Sequence, residues 1–323
     1  MRAVRVERFG GPEVLVAGEV PDLAAGPGQV VVGVRAADVL FLDVQVRRGL
    51  FGEHFAVRPP YVPGCAVAGR VLSVGEGADP GWTGRRVAAR TGVQGGYAEQ
   101  AVVPAGELVP VPDALDLDTA AALLHDGPTA LALSDNARIG PGARVLVLAA
   151  AGGMGALLVQ LAKASGARVV ATARGRRKLD AALALGADAA VDHSEPDWAD
   201  RAREAVGGAG ADVVLDGVGG ETGRAAFEVT ASGGRFSAHG APGGGFTAVD
   251  PDEAERRGVT VTGIEQVQFV QPDARRLVER ALAEAAAGRI RPLVGQTFPL
   301  ERAADAHAVM EARGAVGKTL LLP

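Results

Sequence analysis

In the first part of the chain, short runs of apolar and alternating residues are separated by turn residues. The segments V-R-V-E-R-F, Q-V-V-V-G-V-R-A, A-G-R-V-L-S-V-G, R-R-V-A-A-R and G-Y-A-E-Q-A-V-V each have the spacing of a short strand. Pro-Gly and Gly-Gly pairs bend the chain repeatedly between these segments. Residues 1 to about 123 are therefore predicted to form a small, barrel-like β domain.

Beyond residue 125 the pattern changes to apolar strands that alternate with helical segments. Such alternation indicates parallel βαβ units and a doubly wound sheet. Before it, residues 118–134 are predicted to be helical, with Asp118 as N-cap and a break at Gly127-Pro128. The predicted strands of the sheet are residues 145–148, 168–173, 189–192, 212–216, 235–239 and 259–263.

The C-terminal residues 273–323 predict two further helices, an edge strand at 296–299 and a last strand, K-T-L-L-L. A chain of 323 residues exceeds the size at which single cores stop growing. We therefore expect an α/β protein with two domains, divided as residues 1–124 and 125–272. Most of the C-terminal segment, residues 273–323, is expected to return to the first domain.

The strand at 145–148 leads into a turn of distinctive composition. An apolar run, R-V-L-V-L, is followed by A-A-A-G-G-M-G and then by a helical pattern. Gly152, Gly153 and Gly155 would let the backbone approach a pyrophosphate at the N-terminus of the next helix. Ala150 replaces the first glycine of the usual G-x-G-x-x-G, so a plain glycine-rich turn is the alternative. The flanking strand and helix favour a dinucleotide site.

The residues after the second strand of this domain indicate which dinucleotide is bound. NAD-binding domains usually have an acid there, which accepts hydrogen bonds from the ribose 2'-hydroxyl. Here residues 174–178 read R-G-R-R-K, and the first carboxylate is that of Asp180. Cations at this position favour a 2'-phosphate, and hence NADPH. A solvated, basic start to the next helix is the alternative.

Charge and cysteine content narrow the class of protein. Thirty-three Lys and Arg against 38 Asp and Glu give a net charge of −5, which disfavours nucleic acid or an anionic membrane as partner. The sequence contains no run of 18 uninterrupted apolar residues, the length that would indicate a membrane span. The N-terminus lacks an apolar core of signal-peptide length. The single cysteine excludes an intrachain disulfide. We therefore expect a cytoplasmic location.

Several motifs distributed along the chain are specific in combination. They are P-G-C-A-V-A-G-R-V-L-S-V-G, G-G-Y-A-E, G-P-T-A, A-A-G-G-M-G, D-G-V-G-G and G-K-T-L-L. Together they resemble the medium-chain dehydrogenase/reductase superfamily, and within it the zinc-free NADPH:quinone oxidoreductases. The resemblance extends essentially from end to end. It implies a GroES-like β-barrel catalytic domain, a Rossmann domain with a doubly wound parallel sheet, a cleft between them, and a homodimer.

The resemblance also implies which residues contact NADPH. The implied contacts are Gly152, Gly153, Met154 and Gly155 for the pyrophosphate, Arg174 and Lys178 for the 2'-phosphate, His193 near the adenosine ribose, and Thr129, Val218, His239, Gly240 and Lys318 for the rest of the cofactor groove. Three of these residues also have a purely structural interpretation. Thr129 is then a helix hydroxyl bonded to its own turn, His193 a solvated loop histidine, and His239 a core histidine.

Residues 37–51 correspond to the stretch that borders the quinone site in this family. Asp43, Arg47 and Phe51 match family positions and, with Thr129, are the candidate catalytic residues. Asp43 and Arg47 are equally consistent with a structural ion pair, because they stand four residues apart on a predicted helix.

The chain departs from alcohol dehydrogenases at the zinc ligands. Catalytic zinc needs three protein ligands. In the zinc-dependent branch the first ligand is a cysteine after the third strand, and the second is the histidine of a G-H-E motif. The corresponding positions here hold Leu40 and Cys65, and Ala66 stands where that motif has its glutamate. One cysteine also cannot build a four-cysteine structural lobe. We therefore expect no metal, and a Cys65 that is a small buried residue.

Without a metal or an obvious Ser-Tyr-Lys proton relay, hydride transfer to an acceptor that is already electrophilic is the economical chemistry. We therefore expect an enzyme, an NADPH-dependent oxidoreductase whose substrate is a quinone. One alternative is an enone or 2-alkenal double-bond reductase, for example in secondary metabolism. Another is a non-catalytic NADPH-binding sensor or RNA-binding protein.

Overall fold

The computed structural model describes residues 1–50, 55–269 and 273–323. The chain divides into two compact units. The first consists of Met1–His125, Val278–Ala286 and Val294–Pro323, and the second of Asp126–Leu277 and Ala287–Leu293. The observed boundary therefore lies between residues 125 and 126, one residue beyond the predicted position.

The bounds of the secondary-structure elements are as follows. The strands are β1 (Arg2–Val6), β2 (Leu15–Glu19), β3 (Gln29–Val39), β4 (Ala66–Val74), β5 (Arg86–Arg90), β6 (Gln100–Pro104), β7 (Val109–Pro110), β8 (Arg144–Val147), β9 (Arg168–Ala173), β10 (Ala189–Asp192), β11 (Ala211–Asp216), β12 (Thr230–Ala238), β13 (Thr260–Thr262), β14 (Val294–Pro299) and β15 (Lys318–Leu322). The helices are α1 (Phe41–Arg47), α2 (Leu117–Leu123), α3 (Asp126–Ala137), α4 (Gly153–Ala164), α5 (Arg176–Ala184), α6 (Trp198–Val206), α7 (Gly220–Val229), α8 (Pro251–Arg257), α9 (Asp273–Ala286) and α10 (Ala303–Glu311).

The central strand of the first unit is β3. It pairs antiparallel with β4, with β6 through residues 29–33 and with β15 through residues 37–39. The sheet order is β14-β15-β3-β4-β5-β7, and β1 and β2 form a separate antiparallel pair. Because β3 changes partner along its length, the sheet curls around a core that includes Val6, Val39 and Leu321. The sequence pattern does not predict β2.

The second unit contains a six-stranded parallel sheet in the order β10-β9-β8-β11-β12-β13. Val145, Leu146 and Val147 of β8 are fully buried, as a strand covered on both faces must be. β8 and β11 are neighbours although two strands separate them in sequence, so the chain reverses its direction of winding there. The predicted α/β fold class is confirmed. In such a sheet, ligands bind at the carboxyl ends of the strands beside this reversal.

The N-cap predicted for the helix at 118–134, Asp118, is wrong. Asp116 caps α2, because its carboxylate accepts a hydrogen bond from the Thr119 N–H (2.6 Å). Asp118 lies in the first turn of the helix and pairs with Arg35 (3.1 Å). The chain does break here, but at residues 124–125, between the end of α2 at Leu123 and the start of α3 at Asp126. The predicted position of the break is therefore wrong, because Gly127 and Pro128 lie in the first turn of α3, where proline is tolerated.

The C-terminal segment belongs only in part to the first unit. Residues 278–286 and 294–323 group with the first unit, and residues 273–277 and 287–293 group with the second. The reason at 287–293 is a pair of hydrogen bonds between Gln160 of α4 and the backbone of Arg291 (2.8 and 2.9 Å). Among the described residues, no helix has both the length and the apolar composition needed to cross a bilayer.

Candidate functional site

The turn between β8 and α4 provides an anion site. Ala149 has a left-handed backbone (φ 51°), and Gly152 is the N-cap of α4. The Ala156 N–H makes the first helical hydrogen bond, to the Gly152 carbonyl (2.9 Å), so the N–H groups before it have no helical acceptor. Such groups, together with the helix dipole, favour a bound pyrophosphate.

Gly155 is required by the space available. A Cβ at this position would lie 2.8 Å from the carbonyl carbon of Ala149 and 2.9 Å from the Cα of Ala150. Both are backbone atoms, so α4 can approach the turn this closely only with glycine. Gly152, Gly153 and Met154 are partly exposed at the same helix N-terminus, where the sequence places the pyrophosphate.

The basic residues after β9 lie on one turn of chain. Gly175 has a left-handed backbone (φ 79°) and precedes α5. Arg174 is exposed just before it, and Lys178 is half-buried in the first turn of α5. Arg176 pairs with Asp180 instead (2.7 Å). Arg174 and Lys178 thus stand together at the carboxyl end of β9, and their contact with a 2'-phosphate stays a prediction.

Asp216 fixes the turn after β11, a role that the sequence pattern does not reveal. Its buried carboxylate accepts hydrogen bonds from the N–H groups of Val218 and Gly219 (both 2.9 Å) and from the Thr247 hydroxyl (2.5 Å). Burial raises the pKa of this carboxyl, although the hydrogen bonds act in the opposite direction. The turn that contains the predicted cofactor residue Val218 is therefore held by a buried side chain.

The turns after β11 and β12 pack backbone against backbone. A Cβ on Gly240 would lie 2.5 Å from the Cα of Gly217, which is why this position needs a glycine. His239 precedes it and is 5% exposed. Its Nδ1 lies 3.0 Å from the Ser237 hydroxyl, and burial lowers the pKa of the imidazole to about 4. His239 is therefore neutral at physiological pH.

His193 directly follows β10 and is half-buried rather than fully solvated. Its Nδ1 lies 3.3 Å from the Thr172 hydroxyl, and its ring packs edge-on against Trp198 with 6.4 Å between centroids. It stands at the same carboxyl edge of the sheet as the basic turn. Its predicted contact with the adenosine ribose is untested by this packing.

Asp43 occupies the centre of a buried polar network in the first unit. Its Oδ2 accepts hydrogen bonds from the Leu40 N–H (2.8 Å) and the Tyr97 hydroxyl (3.0 Å), and the Cys65 thiol donates to its Oδ1 (3.2 Å). The Tyr97 hydroxyl also lies 3.0 Å from Nε2 of His307. Since both oxygens are engaged and the residue is 3% exposed, this geometry favours a positioning role for Asp43.

The expected ion pair between Asp43 and Arg47 is not formed, and this alternative is wrong. Arg47 is fully buried, and its guanidinium pairs with Glu311 of α10. Asp43 instead turns back toward the start of its own helix, because the Leu40 N–H has no other acceptor in α1. Phe51, the third candidate on this segment, lies outside the described residues.

Thr129 and Lys318, predicted to contact the cofactor, lie in different units. Thr129 is half-buried near the start of α3 in the second unit. Lys318 is the first residue of β15 in the first unit, and its Nζ lies 2.8 Å from a carboxylate oxygen of Asp38 on β3. Both members of this ion pair are buried. The predicted cofactor roles of Thr129 and Lys318 stay predictions.

The positions of the zinc ligands show no coordination geometry. Leu40 is a buried N-cap residue, and Cys65 is buried, as expected, with its thiol donating to Asp43. Burial, reinforced by the charge of Asp43, raises the pKa of this thiol, so it stays protonated. Among the residues that the structure describes, no three His, Cys, Asp or Glu side chains are grouped to hold a metal ion.

His307→Gln is expected to make the stability of the protein less sensitive to acid. Burial, aided by Arg47, lowers the pKa of His307 to about 3, from about 6.5 in an unfolded chain. The unfolded state therefore takes up the proton first as the pH falls. The stability due to the neutral ring is present above pH 6.5 and is lost progressively between pH 6.5 and 3.

Chemical denaturation at pH 7 and pH 5 measures this effect. Between pH 7 and pH 5 the free energy of unfolding should fall by about 2 kcal/mol more in the wild type than in His307→Gln. The amide of the new glutamine can still donate to Tyr97. Asp43 titrates in both proteins, so its contribution largely cancels in the difference. Parallel losses in the two proteins would contradict the pKa assigned to His307.

Comparison with known proteins gives end-to-end matches. Residues 26–113 match the family described as alcohol dehydrogenase GroES-like domain, and residues 153–283 match the family described as zinc-binding dehydrogenase. The whole chain is 32% identical to the quinone oxidoreductase of Rattus norvegicus, over 98% of that protein. It is 34% identical to the 2-haloacrylate reductase of a Burkholderia species, over 99% of this chain and 98% of that protein. A mycobacterial protein solved in complex with NADPH matches over 100% of both chains, with 33% identity and a TM-score of 0.90.

Proposed function

The chain belongs to the zinc-free quinone oxidoreductases of the medium-chain dehydrogenase/reductase superfamily, and from this premise we propose that it transfers a hydride from NADPH to a quinone. The observation that carries the proposal is the nucleotide-binding edge of the second unit. There the turn that requires Gly155 suits a pyrophosphate, and Arg174 and Lys178 suit a 2'-phosphate.

NADPH fits the residues present at this edge. At Gly155 the backbone leaves a space that a Cβ would fill. After β9, Arg174 and Lys178 occupy the position where NAD-binding domains usually have an acid. When bound, NADPH supplies a hydride from C4 of its nicotinamide. The chain's own residues bind and orient it: the α4 N–H groups hold the pyrophosphate, Arg174 and Lys178 the 2'-phosphate, and Thr129 the nicotinamide end. The acceptor must be electrophilic without help from a metal.

A conjugated double bond is the second candidate acceptor. The identity to a 2-haloacrylate reductase over nearly the full length favours it, because a haloacrylate is an electron-poor alkene. Steady-state oxidation of NADPH with a panel of quinones and a panel of enones and acrylates distinguishes the two. Turnover with neither panel, in a protein that binds NADPH, would indicate a sensor or a binding protein and would contradict the enzymatic proposal.

Arg174→Ala and Lys178→Ala are expected to lower the affinity for NADPH selectively. Each change should cost about 1.5 to 3 kcal/mol of binding free energy, the range for hydrogen bonds to charged groups, and leave NADH binding nearly unchanged. Titration calorimetry with both dinucleotides measures the difference. Arg201→Ala is the control, since Arg201 is exposed on α6 and pairs with Asp197 (3.8 Å). Equal losses for NADPH and NADH would refute the assignment.

We also propose a cytoplasmic homodimer. The outer edge of β13 pairs with no strand within the described ranges, and Val261 on this strand is 37% exposed. An unpaired strand edge with an exposed apolar side chain suits pairing with a second copy of the same strand. The free, buried thiol of Cys65 is compatible with a reducing compartment. Light scattering tests the oligomer, and a monomer at micromolar concentration would contradict it.

A further inference from the structure

Asp192 is the last residue of β10, at the carboxyl edge of the sheet and beside the basic turn that follows β9. Both oxygens of its half-buried carboxylate accept hydrogen bonds. Oδ2 accepts from the Gly175 N–H (2.8 Å). Oδ1 accepts from the backbone N–H (2.9 Å) and the hydroxyl (2.6 Å) of Ser194. The side chain of Asp192 therefore joins the end of β10 to the turn that carries Arg174.

The two peptide groups that flank Arg174 are both held from the end of β10. The carbonyl of Ala173 accepts a hydrogen bond from the His193 N–H (3.2 Å). The Gly175 N–H, in the next peptide group, donates to Asp192. Because each peptide group is planar, holding the planes on either side of a Cα fixes its φ and ψ. These two hydrogen bonds therefore set the direction in which the Arg174 side chain leaves the turn.

Gly175 needs a restraint from outside the turn. It is the N-cap of α5 and has a left-handed backbone (φ 79°), but it has no side chain with which to hold that conformation. Glycine has more conformational freedom than any other residue. Its carbonyl accepts a hydrogen bond from the Lys178 N–H (3.1 Å), so a displaced Gly175 would also move the start of α5. The carboxylate of Asp192 supplies the restraint.

The hydrogen bonds of Asp192 also distinguish it from the acid of an NAD site. Burial opposes its ionisation, but the hydrogen bonds from Ser194 and Gly175 outweigh burial and hold the pKa of this carboxyl below its usual value. In NAD-binding domains an acid after the second strand accepts from the ribose 2'-hydroxyl. Asp192 ends the third strand of the unit, and its oxygens are engaged by the backbone and by Ser194. This geometry favours a role in holding the turn.

Resting on the proposed function, we propose that Asp192 is a positioning residue for the 2'-phosphate of NADPH. It holds the Gly175 turn so that Arg174 points at the phosphate, and it thereby favours NADPH over NADH without touching either. A negative charge near a phosphate is unfavourable by itself. The useful property of Asp192 is therefore its oxygen acceptors rather than its charge, and an amide in its place should serve nearly as well.

Binding measurements on two variants test the proposal. Asp192→Ala should bind NADPH about tenfold more weakly and NADH within about twofold of the wild type, because only NADPH carries the phosphate that Arg174 meets. Asp192→Asn should bind NADPH within about threefold of the wild type, because its amide oxygen can still accept from Gly175. Titration calorimetry measures these affinities. In turnover, Asp192→Ala should raise the KM for NADPH and leave kcat unchanged.

The matched control is Asp188→Ala. Asp188 precedes β10, and its carboxylate accepts from the Val169 N–H (2.7 Å) and pairs with Lys163 (2.8 Å). It thus links the opposite ends of the same two strands, far from the basic turn. Its replacement should lower the melting temperature without changing the affinity for either dinucleotide. A loss of NADPH affinity in Asp188→Ala equal to that in Asp192→Ala would overturn the proposal, because the effect would then not be local to the turn.

A double-mutant cycle shows whether Asp192 acts through Arg174. In the Arg174→Ala background, Asp192→Ala should weaken NADPH binding by less than about twofold. An undiminished loss in that background, or equal losses for NADPH and NADH in the single variant, would overturn the proposal. A larger loss for NADH than for NADPH would also overturn it, because Asp192 would then contact the ribose.

Hydrogen exchange in the wild type remains informative if Asp192→Ala does not fold. The Gly175 N–H should exchange more slowly than an unstructured amide, and exchange at the unprotected rate would overturn the proposal. Weaker NADPH binding in Arg174→Ala, together with wild-type binding in Asp192→Ala, would refute this proposal alone. If Arg174→Ala itself left NADPH binding unchanged, the 2'-phosphate assignment of the proposed function would fail, and this proposal with it.

Discussion

Gly155→Ala is expected to reduce NADPH binding by at least about 100-fold. The new Cβ would meet the backbone of Ala149 and Ala150 at 2.8 and 2.9 Å, so α4 must move away from the turn. Displacing its N-terminus removes charge-assisted hydrogen bonds to the pyrophosphate, and losing two at about 1.5 kcal/mol each amounts to about 3 kcal/mol. Stability should also fall, by about 1 to 3 kcal/mol, the usual cost of overpacking.

The matched control for this variant is Gly140→Ala in the same unit. Gly140 has no atom within 4 Å of its would-be Cβ, and its backbone is not left-handed. Its replacement should leave both NADPH affinity and melting temperature nearly unchanged. Titration calorimetry and thermal unfolding of the two variants together separate the effect of crowding from that of a glycine substitution as such. NADPH binding by Gly155→Ala at wild-type affinity would contradict the role assigned to the turn.

The second unit could be predicted from the sequence because its signals are local. An apolar run such as residues 145–148 is buried on both faces of a parallel sheet, and the glycine turn follows it directly. The predicted strands agree with β8 to β13 to within a residue or two, except that β12 begins at Thr230, five residues earlier than expected. The first half of β12 carries no clear strand pattern, because Gly233 and Gly234 interrupt it with residues that weaken a strand.

The buried polar network of the first unit could not be predicted, because its partners are distant in sequence. Asp43 meets Tyr97 across 54 residues, and Tyr97 meets His307 across 210. Asp43 and Arg47 fit an ion pair by spacing alone, yet the partners of each, Tyr97 and Glu311, are distant in the sequence. The N-cap of α2 is a related case, since Asp116 and Asp118 are equally good caps by residue type and only the helix start distinguishes them.

The same pattern recurs at the cofactor edge of the second unit. The motif D-G-V-G-G marks a turn, but the sequence does not show that Asp216 fixes it through Val218, Gly219 and Thr247. Likewise, the chain from Gln266 through Ser237 orients His239 across 29 residues. Motifs therefore predict which backbone segments contact a ligand, whereas the side chains that hold these segments in place emerge only from the fold.

Asp43→Ala is expected to destabilise the protein by about 3 to 5 kcal/mol. Removing the carboxylate leaves the Leu40 N–H and the Cys65 thiol without their acceptor in the interior, at about 1 to 3 kcal/mol each. It also takes one of two partners from the Tyr97 hydroxyl and adds a small cavity. Chemical denaturation measures the loss. Asp305→Ala is the control, because that carboxylate pairs with Arg302 (2.6 Å) on the surface and its removal should cost less than about 0.5 kcal/mol.

Asp43→Asn separates a positioning role from a catalytic one. The amide oxygen can still accept from both Leu40 and Tyr97, so this variant should lose only about 1 kcal/mol of stability. If Asp43 positions α1, the kcat of Asp43→Asn with its best acceptor should stay within a few-fold of the wild type. A carboxylate acting as an acid or base would instead contribute about 100-fold or more. A loss of that size in kcat, in a variant of nearly native stability, would show that the charge of Asp43 takes part in the reaction.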